Sequence, residues 1–177
     1  MNNRWTPSGT YPGPLCLVLG FLFLGSMSMA YGCTVDASAE QPIAYNHKKH
    51  VKDNNIECDT CHRWVQERKS AGRPSVEVCA ECHDEAQGKT TEEAKVVKLV
   101  QSKKDIPWER VTKLPASVYF SHARHVKAGK IGCETCHGPM AQQTSPPTKP
   151  LAKITMSACI GCHESRRVTT DCNACHK

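Results

Sequence analysis

His47-Lys-Lys-His50-Val-Lys-Asp-Asn-Asn-Ile-Glu-Cys58-Asp-Thr-Cys61-His62 returns, without a gap, as His122-Ala-Arg-His125-Val-Lys-Ala-Gly-Lys-Ile-Gly-Cys133-Glu-Thr-Cys136-His137. The two stretches agree at nine of sixteen positions, at a constant offset of 75 residues. Both copies keep two histidines three residues apart, followed by two cysteines and a histidine in the order C-x-x-C-H. Repetition of this kind marks a chain that stacks one small unit on another.

Outward from the repeat, the same C-x-x-C-H run appears at Cys79-Ala-Glu-Cys82-His83, Cys159-Ile-Gly-Cys162-His163 and Cys172-Asn-Ala-Cys175-His176. Five motifs thus account for ten of the twelve cysteines. Two thiols separated by two residues reach the two vinyl groups on one porphyrin edge and form thioethers. The adjacent histidine then lies under the iron as its proximal ligand. Zinc or a disulfide framework would also use paired cysteines, but neither requires a histidine directly after every pair. The reading is five covalently bound haem c groups. They also supply an interior. Hydrophobic residues make up 39% of the chain, against roughly 45–50% in an ordinary globular domain, and many of those sit near the N-terminus.

Nine histidines are present, and His62, His83, His137, His163 and His176 close the motifs. His47, His50, His122 and His125 remain, in two H-x-x-H pairs, and the count assigns them as distal iron ligands. The first histidine of each pair is expected to serve the haem just downstream, and the second an iron further off. Four distal histidines leave one of five irons unserved. Met156, three residues before Cys159, and Met140, three after His137, are the candidate ligands for it. An open or lysine-ligated iron is the alternative.

The formal charge of +6 would suit a nucleic-acid partner in a bare chain. Ten propionates and five ferric porphyrin cores bring the balance close to neutral, so no nucleic-acid partner is expected. Leu15 to Gly32 carries no charge and lies at the boundary between a signal-peptide apolar region and a membrane helix. Three fates are open: an uncleaved anchor, lipidation at Cys33, or cleavage and secretion. All three place residues 34–177 outside the cytoplasm, and the anchor holds them on the periplasmic face of the membrane. Cys16 reads as an inert apolar residue within the segment.

The resulting organisation is an N-terminal anchor or signal helix at 1–33, a tether at 34–41 and a five-haem domain at 42–177. That domain divides into repeat one at 42–89, a connecting helix at 90–104, and repeat two with the fifth motif at 105–177. Thr90 and Glu93 form a capping box for the connecting helix. Val96, Val97, Leu99 and Val100 give it an apolar stripe, and Pro107 follows its end. Gly138 to Pro150, with Pro146-Pro147 and Pro150, reads as an irregular, partner-facing loop. The fold class is mainly irregular and α-helical, with short helices at the motifs and little sheet.

The H-x-x-H pairs ahead of C-x-x-C-H, and the closing Cys172-Asn-Ala-Cys175-His176-Lys177, resemble class III multihaem cytochromes c. Four longer strings are similar to the multihaem subunit of alternative complex III and of menaquinone reductase-type complexes. They are Ala71-Gly-Arg-Pro-Ser-Val-Glu-Val-Cys79-Ala-Glu-Cys82-His83, Ile106-Pro-Trp108-Glu-Arg-Val, Leu114-Pro-Ala-Ser-Val-Tyr119-Phe120-Ser-His122 and Cys136-His137-Gly138-Pro139. The resemblance spans roughly Gln41 to Lys177, and five motifs match the pentahaem form. It implies an electron-relaying subunit, not catalytic by itself, of a membrane-bound quinone oxidoreductase. The implied partners are integral membrane quinone-binding subunits, an iron–sulfur or molybdopterin-like subunit and a further redox protein. A stand-alone periplasmic or membrane-tethered carrier is the alternative, and a haem enzyme of nitrite-reductase type a third. An enzyme needs at least one open iron; a relay needs closed ones.

Overall fold

The computed structural model describes residues 38–177. The expectations for the segment at 1–33, including Cys16 and Cys33, fall outside that range, as does the first half of the tether. Among the described residues no helix is long and apolar enough to cross a membrane.

Every C-x-x-C-H motif folds as a short helix. These are α1 (Cys58–Cys61), α2 (Val76–His83), α4 (Glu134–His137), α5 (Met156–Ser165) and α6 (Cys172–Cys175), with α3 (Thr91–Gln101) between the repeats. Residues three apart lie on one helix face, so one helical turn aims both cysteines of a motif the same way. Local side chains start several of these helices. Asp171 accepts from Asn173 N at 3.0 Å and Thr155 from Ala158 N at 3.3 Å, caps that contribute about 1 kcal/mol each. There are no strands among the described residues; a lone antiparallel bridge joins Val118 to His176.

The connecting helix forms where the sequence puts it, though shorter. Thr90 Oγ1 accepts from Glu93 N at 3.1 Å, which is half of a capping box. The other half is missing, because Glu93 turns its carboxylate away from Thr90 to accept from Gln87 N at 2.6 Å and Gly88 N at 3.0 Å. At the other end Lys103 adopts a left-handed φ of 51°. Lys103 N then bonds Val100 O, and Lys104 N bonds Leu99 O, which closes the helix after Gln101. The apolar stripe packs α3 on α2, whose Val76 is among the most buried residues of the chain.

Each H-x-x-H pair opens a π-helical turn, at Lys49–Asp53 and at Ala123–Ala128. Such wide turns are rare and frequent at functional sites. Two residues beyond the end of each stands a residue with positive φ, Asn55 and Lys130. Both are pinned by a bond back to the second histidine, Ile56 N to His50 O at 3.0 Å and Ile131 N to His125 O at 3.1 Å.

The two repeats interlock reciprocally. Ala123 N donates to Arg68 O at 3.1 Å, and its counterpart Lys48 N donates to Gln143 O at 2.9 Å. Lys48 and Ala123 are 75 residues apart, and so are Arg68 and Gln143. Each histidine turn is therefore held by the backbone that follows the other repeat's first motif. Reciprocal contacts of this kind define a two-fold relation, here between halves of one chain. Equivalent residues come together across it: Cys58 has Cys133 as a close neighbour, and His137 has His62.

The side-chain core is thin. Ile43, Val65, Val76, Ile106 and Ala141 are the buried apolar residues among those described. So few side chains remove little apolar surface from water at about 25 cal/mol per Å². The motif cysteines and histidines instead line half-exposed surfaces, a lining suited to large flat apolar groups.

Candidate functional site

Eight of the nine histidines assemble in four pairs. His122 faces His137 with ring centres 6.2 Å apart and planes 3° from parallel. His50 faces His83 at 6.2 Å, and His125 faces His163 at 6.1 Å. His47 has His62 as its foremost charged neighbour. An iron between two imidazoles, with bonds of about 2.0 Å and ring centres roughly 1.1 Å behind the nitrogens, separates the ring centres by roughly 6.2 Å. The three measured distances meet that requirement.

In five of these histidines the second ring nitrogen is already engaged, whereas the buried Nδ1 atoms of His47 and His83 have no hydrogen-bond partner. His62 Nδ1 bonds Gly72 O at 2.8 Å, His50 Nδ1 bonds Asn46 O at 2.9 Å and His122 Nδ1 bonds Lys69 O at 2.9 Å. His125 Nδ1 bonds Ser121 O at 2.8 Å and His163 Nδ1 bonds Thr169 O at 2.7 Å. A carbonyl accepts only from N–H, so the proton sits on Nδ1 and Nε2 keeps its lone pair. This arrangement is how proteins orient a metal-ligating histidine. Burial first, and then His62 and His50, push the His47 imidazole down to about 4. Burial does the same in direction to His137. Burial thus favours the neutral form of both rings.

Two aromatic residues that the sequence reading passed over hold these rings in place. Tyr45 meets His47 edge-on at 4.8 Å and stacks on His50 at 4.5 Å. Phe120 meets His122 edge-on at 4.9 Å and stacks on His125 at 4.6 Å. One ring in each repeat thus braces two histidines that belong to different pairs. Asn46 and Ser121 follow those aromatics; their side chains accept from Lys49 N and Arg124 N, and their carbonyls orient the second histidines. Extending the repeat two residues upstream, to Tyr45-Asn46 and Phe120-Ser121, would have exposed this signal. Gly72 was missed as well. Its positive φ of 79° and a Trp64 ring 2.7 Å from where a Cβ would stand restrict the position to glycine. Its carbonyl orients His62.

The cysteines gather by haem neighbourhood. All ten in the motifs are free thiols. Cys61 lies near Tyr45 and Cys82, and Cys79 near Cys61. Cys136 lies near Cys162, Cys159 and Cys133. With the Cys58–Cys133 contact, the first four motifs run in space as second, first, third, fourth. The order is thus interleaved rather than sequential. Among the described residues, no group of three or more His, Cys, Asp or Glu side chains converges as a metal-ion cage. The arrangement is one of facing pairs, as porphyrin-bound iron needs.

The fifth motif stands apart from these four pairs. Tyr119 N donates to Cys175 O at 2.7 Å and Lys177 N to Ser117 O at 3.1 Å, which clips α6 to the strand-like stretch before Phe120. Met140 begins a 3-10 turn behind α4 and is half-buried; Met156 begins α5 and is 67% exposed.

Comparison with known proteins agrees with the chemistry. Residues 27–108 match the class III cytochrome C family, and residues 118–177 match the family of cytochrome c7 and related cytochrome c. A relative from Nitratidesulfovibrio vulgaris (strain Hildenborough), named menaquinone reductase, multiheme cytochrome c subunit, is 36% identical over 77% of this chain and 75% of its own. Repeated C-x-x-C-H motifs, facing histidines and these matches together place the chain among the class III multihaem cytochromes c, electron-transfer proteins that carry covalently bound haem c, in the same family as the menaquinone reductase multihaem subunit.

Proposed function

We propose that this chain carries five haem c groups and relays electrons as a subunit of a membrane-bound quinone oxidoreductase of the menaquinone reductase or alternative complex III type. The observation that carries this reading is the pairing of each H-x-x-H turn with two different motif histidines, at 6.1–6.2 Å where ring distances are measured. Bound haem supplies one-electron exchange at iron. The chain supplies two protein ligands per iron, fixed by carbonyls and by Tyr45 or Phe120. Closed ligation keeps coordination constant between redox states, which suits a relay better than a catalyst.

In this assignment His47 and His62 hold the first iron, His50 and His83 the second, His122 and His137 the third, and His125 and His163 the fourth. His176 holds the fifth, with Met156 or Met140 opposite it, or with that position open. The segment at 1–33 anchors the domain at 42–177 on the periplasmic face, beside integral quinone-binding subunits and an iron–sulfur or molybdopterin-like subunit. The relative's name supports the type of complex.

Purification of the tagged protein from membranes in mild detergent tests this reading. The expected result is co-elution with integral membrane subunits and an iron–sulfur subunit, with five covalent haems by intact mass. Recovery of the cytochrome alone after gentle extraction would overturn the subunit assignment and leave a tethered or diffusing carrier.

A further inference from the structure

The two-fold relation between the repeats is not exact at the histidines, and at one of them the difference brings in a carboxylate. The second motif of each repeat ends in a histidine, His83 and His163, that faces the second histidine of its turn. His163 Nδ1 bonds a neutral acceptor, the Thr169 carbonyl, at 2.7 Å. His83 Nδ1 is buried and has no hydrogen-bond partner. Glu93 Oε1 stands 3.3 Å from it, a distance at which a small ring rotation completes the bond.

The carboxylate is built into this position. Its side chain is 11% exposed, and Gln87 N and Gly88 N hold Oε1 from the loop between α2 and α3. The lack of a side chain at Gly88 gives it room, since a Cβ there would stand 2.7 Å from Glu93 Oε2. We propose that Glu93 is a positioning residue that accepts the His83 Nδ1 proton and holds the second haem iron at a lower reduction potential than its counterpart in repeat two. A negative acceptor makes imidazole a stronger donor and stabilises the ferric charge; a neutral carbonyl does so less. Because the second motif stands at one end of the spatial order, the asymmetry makes that end the low-potential terminus, where electrons enter a downhill relay. The inference rests on His50 and His83 sharing one iron.

Potentiometric titration of the full holoprotein, followed optically and by EPR, tests this on four variants. His50→Met marks the second haem by its altered ligation; if it alters none, the ligand assignment fails and this inference with it. Glu93→Gln keeps the loop contacts and removes the charge. It is expected to shift the reduction equilibrium of the marked haem toward the ferrous form by about tenfold, which is about 59 mV for one electron, with its spin state unchanged. Gly88→Ala displaces the carboxylate without altering it and is expected to move the same midpoint in the same direction. Thr90→Ala weakens the cap of the same helix and is expected to move no midpoint. An unchanged midpoint in both Glu93→Gln and Gly88→Ala, or an equal shift in Thr90→Ala, would overturn the proposal.

Discussion

His125→Ala is expected to leave all five haems attached and to convert one of them from a low-spin, six-coordinate state to a high-spin one. The haem affected is the one bound at Cys159 and Cys162, not the one bound at Cys133 and Cys136 eight residues downstream. The reason is geometric. The His125 ring faces His163 at 6.1 Å, while the first motif of that repeat has His122 at 6.2 Å from His137. Combining His125→Ala with Cys159→Ser and Cys162→Ser should abolish the spectral change, because the haem that reports it is gone. If the change persists in that background, His125 serves a different iron.

Phe120→Ala is expected to cost about 3 kcal/mol, at the lower end for removing a packed aromatic side chain. The ring is only partly buried, but its loss frees two ligands at once. Phe120 meets His122 edge-on and stacks on His125 with planes 26° apart, so the third and fourth haems should both show broadened ligand-sensitive EPR signals. Phe120→Tyr should cost less than about 1.5 kcal/mol, as volume-conserving changes do, since Tyr45 fills the equivalent place with nearly the same ring geometry. Denaturant unfolding of the holoprotein with EPR on the same samples checks both variants. A loss below about 0.5 kcal/mol for Phe120→Ala, the range of an inert surface change, would show that the ring does not brace the histidines.

What could be read in the sequence follows from how local each constraint is. Thioether attachment needs two thiols at fixed spacing and a histidine beside them, so the five motifs stand out residue by residue. The H-x-x-H pairs are legible through the 75-residue repeat. Their assignment to separate irons came from counting ligands. The reciprocal grip of Lys48 on Gln143 and Ala123 on Arg68 left no trace in spacing, because any backbone carbonyl serves as acceptor whatever its side chain. Tyr45 and Phe120 were hidden for a related reason: an aromatic residue two positions before a histidine reads as ordinary packing until the rings are placed. Glu93 illustrates a local rule overridden. Its spacing from Thr90 signals a capping box, yet its carboxylate turns to the Gln87–Gly88 loop and to His83. The connecting helix ends at Gln101 rather than about Lys104 because Lys103 takes a left-handed conformation, and nothing in the helical pattern announces that.

The two-fold relation between the repeats bears on how such a relay works. Cys58 and Cys133 are close neighbours, so the first and third motifs lie where the halves meet. The second and fourth motifs lie at the ends, and the fifth is clipped on through Tyr119 and Cys175. Duplication of a two-motif unit thus joins the halves without a new interface having to evolve, since the contact is self-complementary.

The most direct test of the central claim, that two H-x-x-H turns close four irons, is near-infrared magnetic circular dichroism with low-temperature EPR on the oxidised holoprotein. The account predicts four haems with bis-imidazole signatures and a fifth that differs, whether methionine-ligated, lysine-ligated or high-spin. Fewer than four bis-imidazole haems, or five, would contradict it.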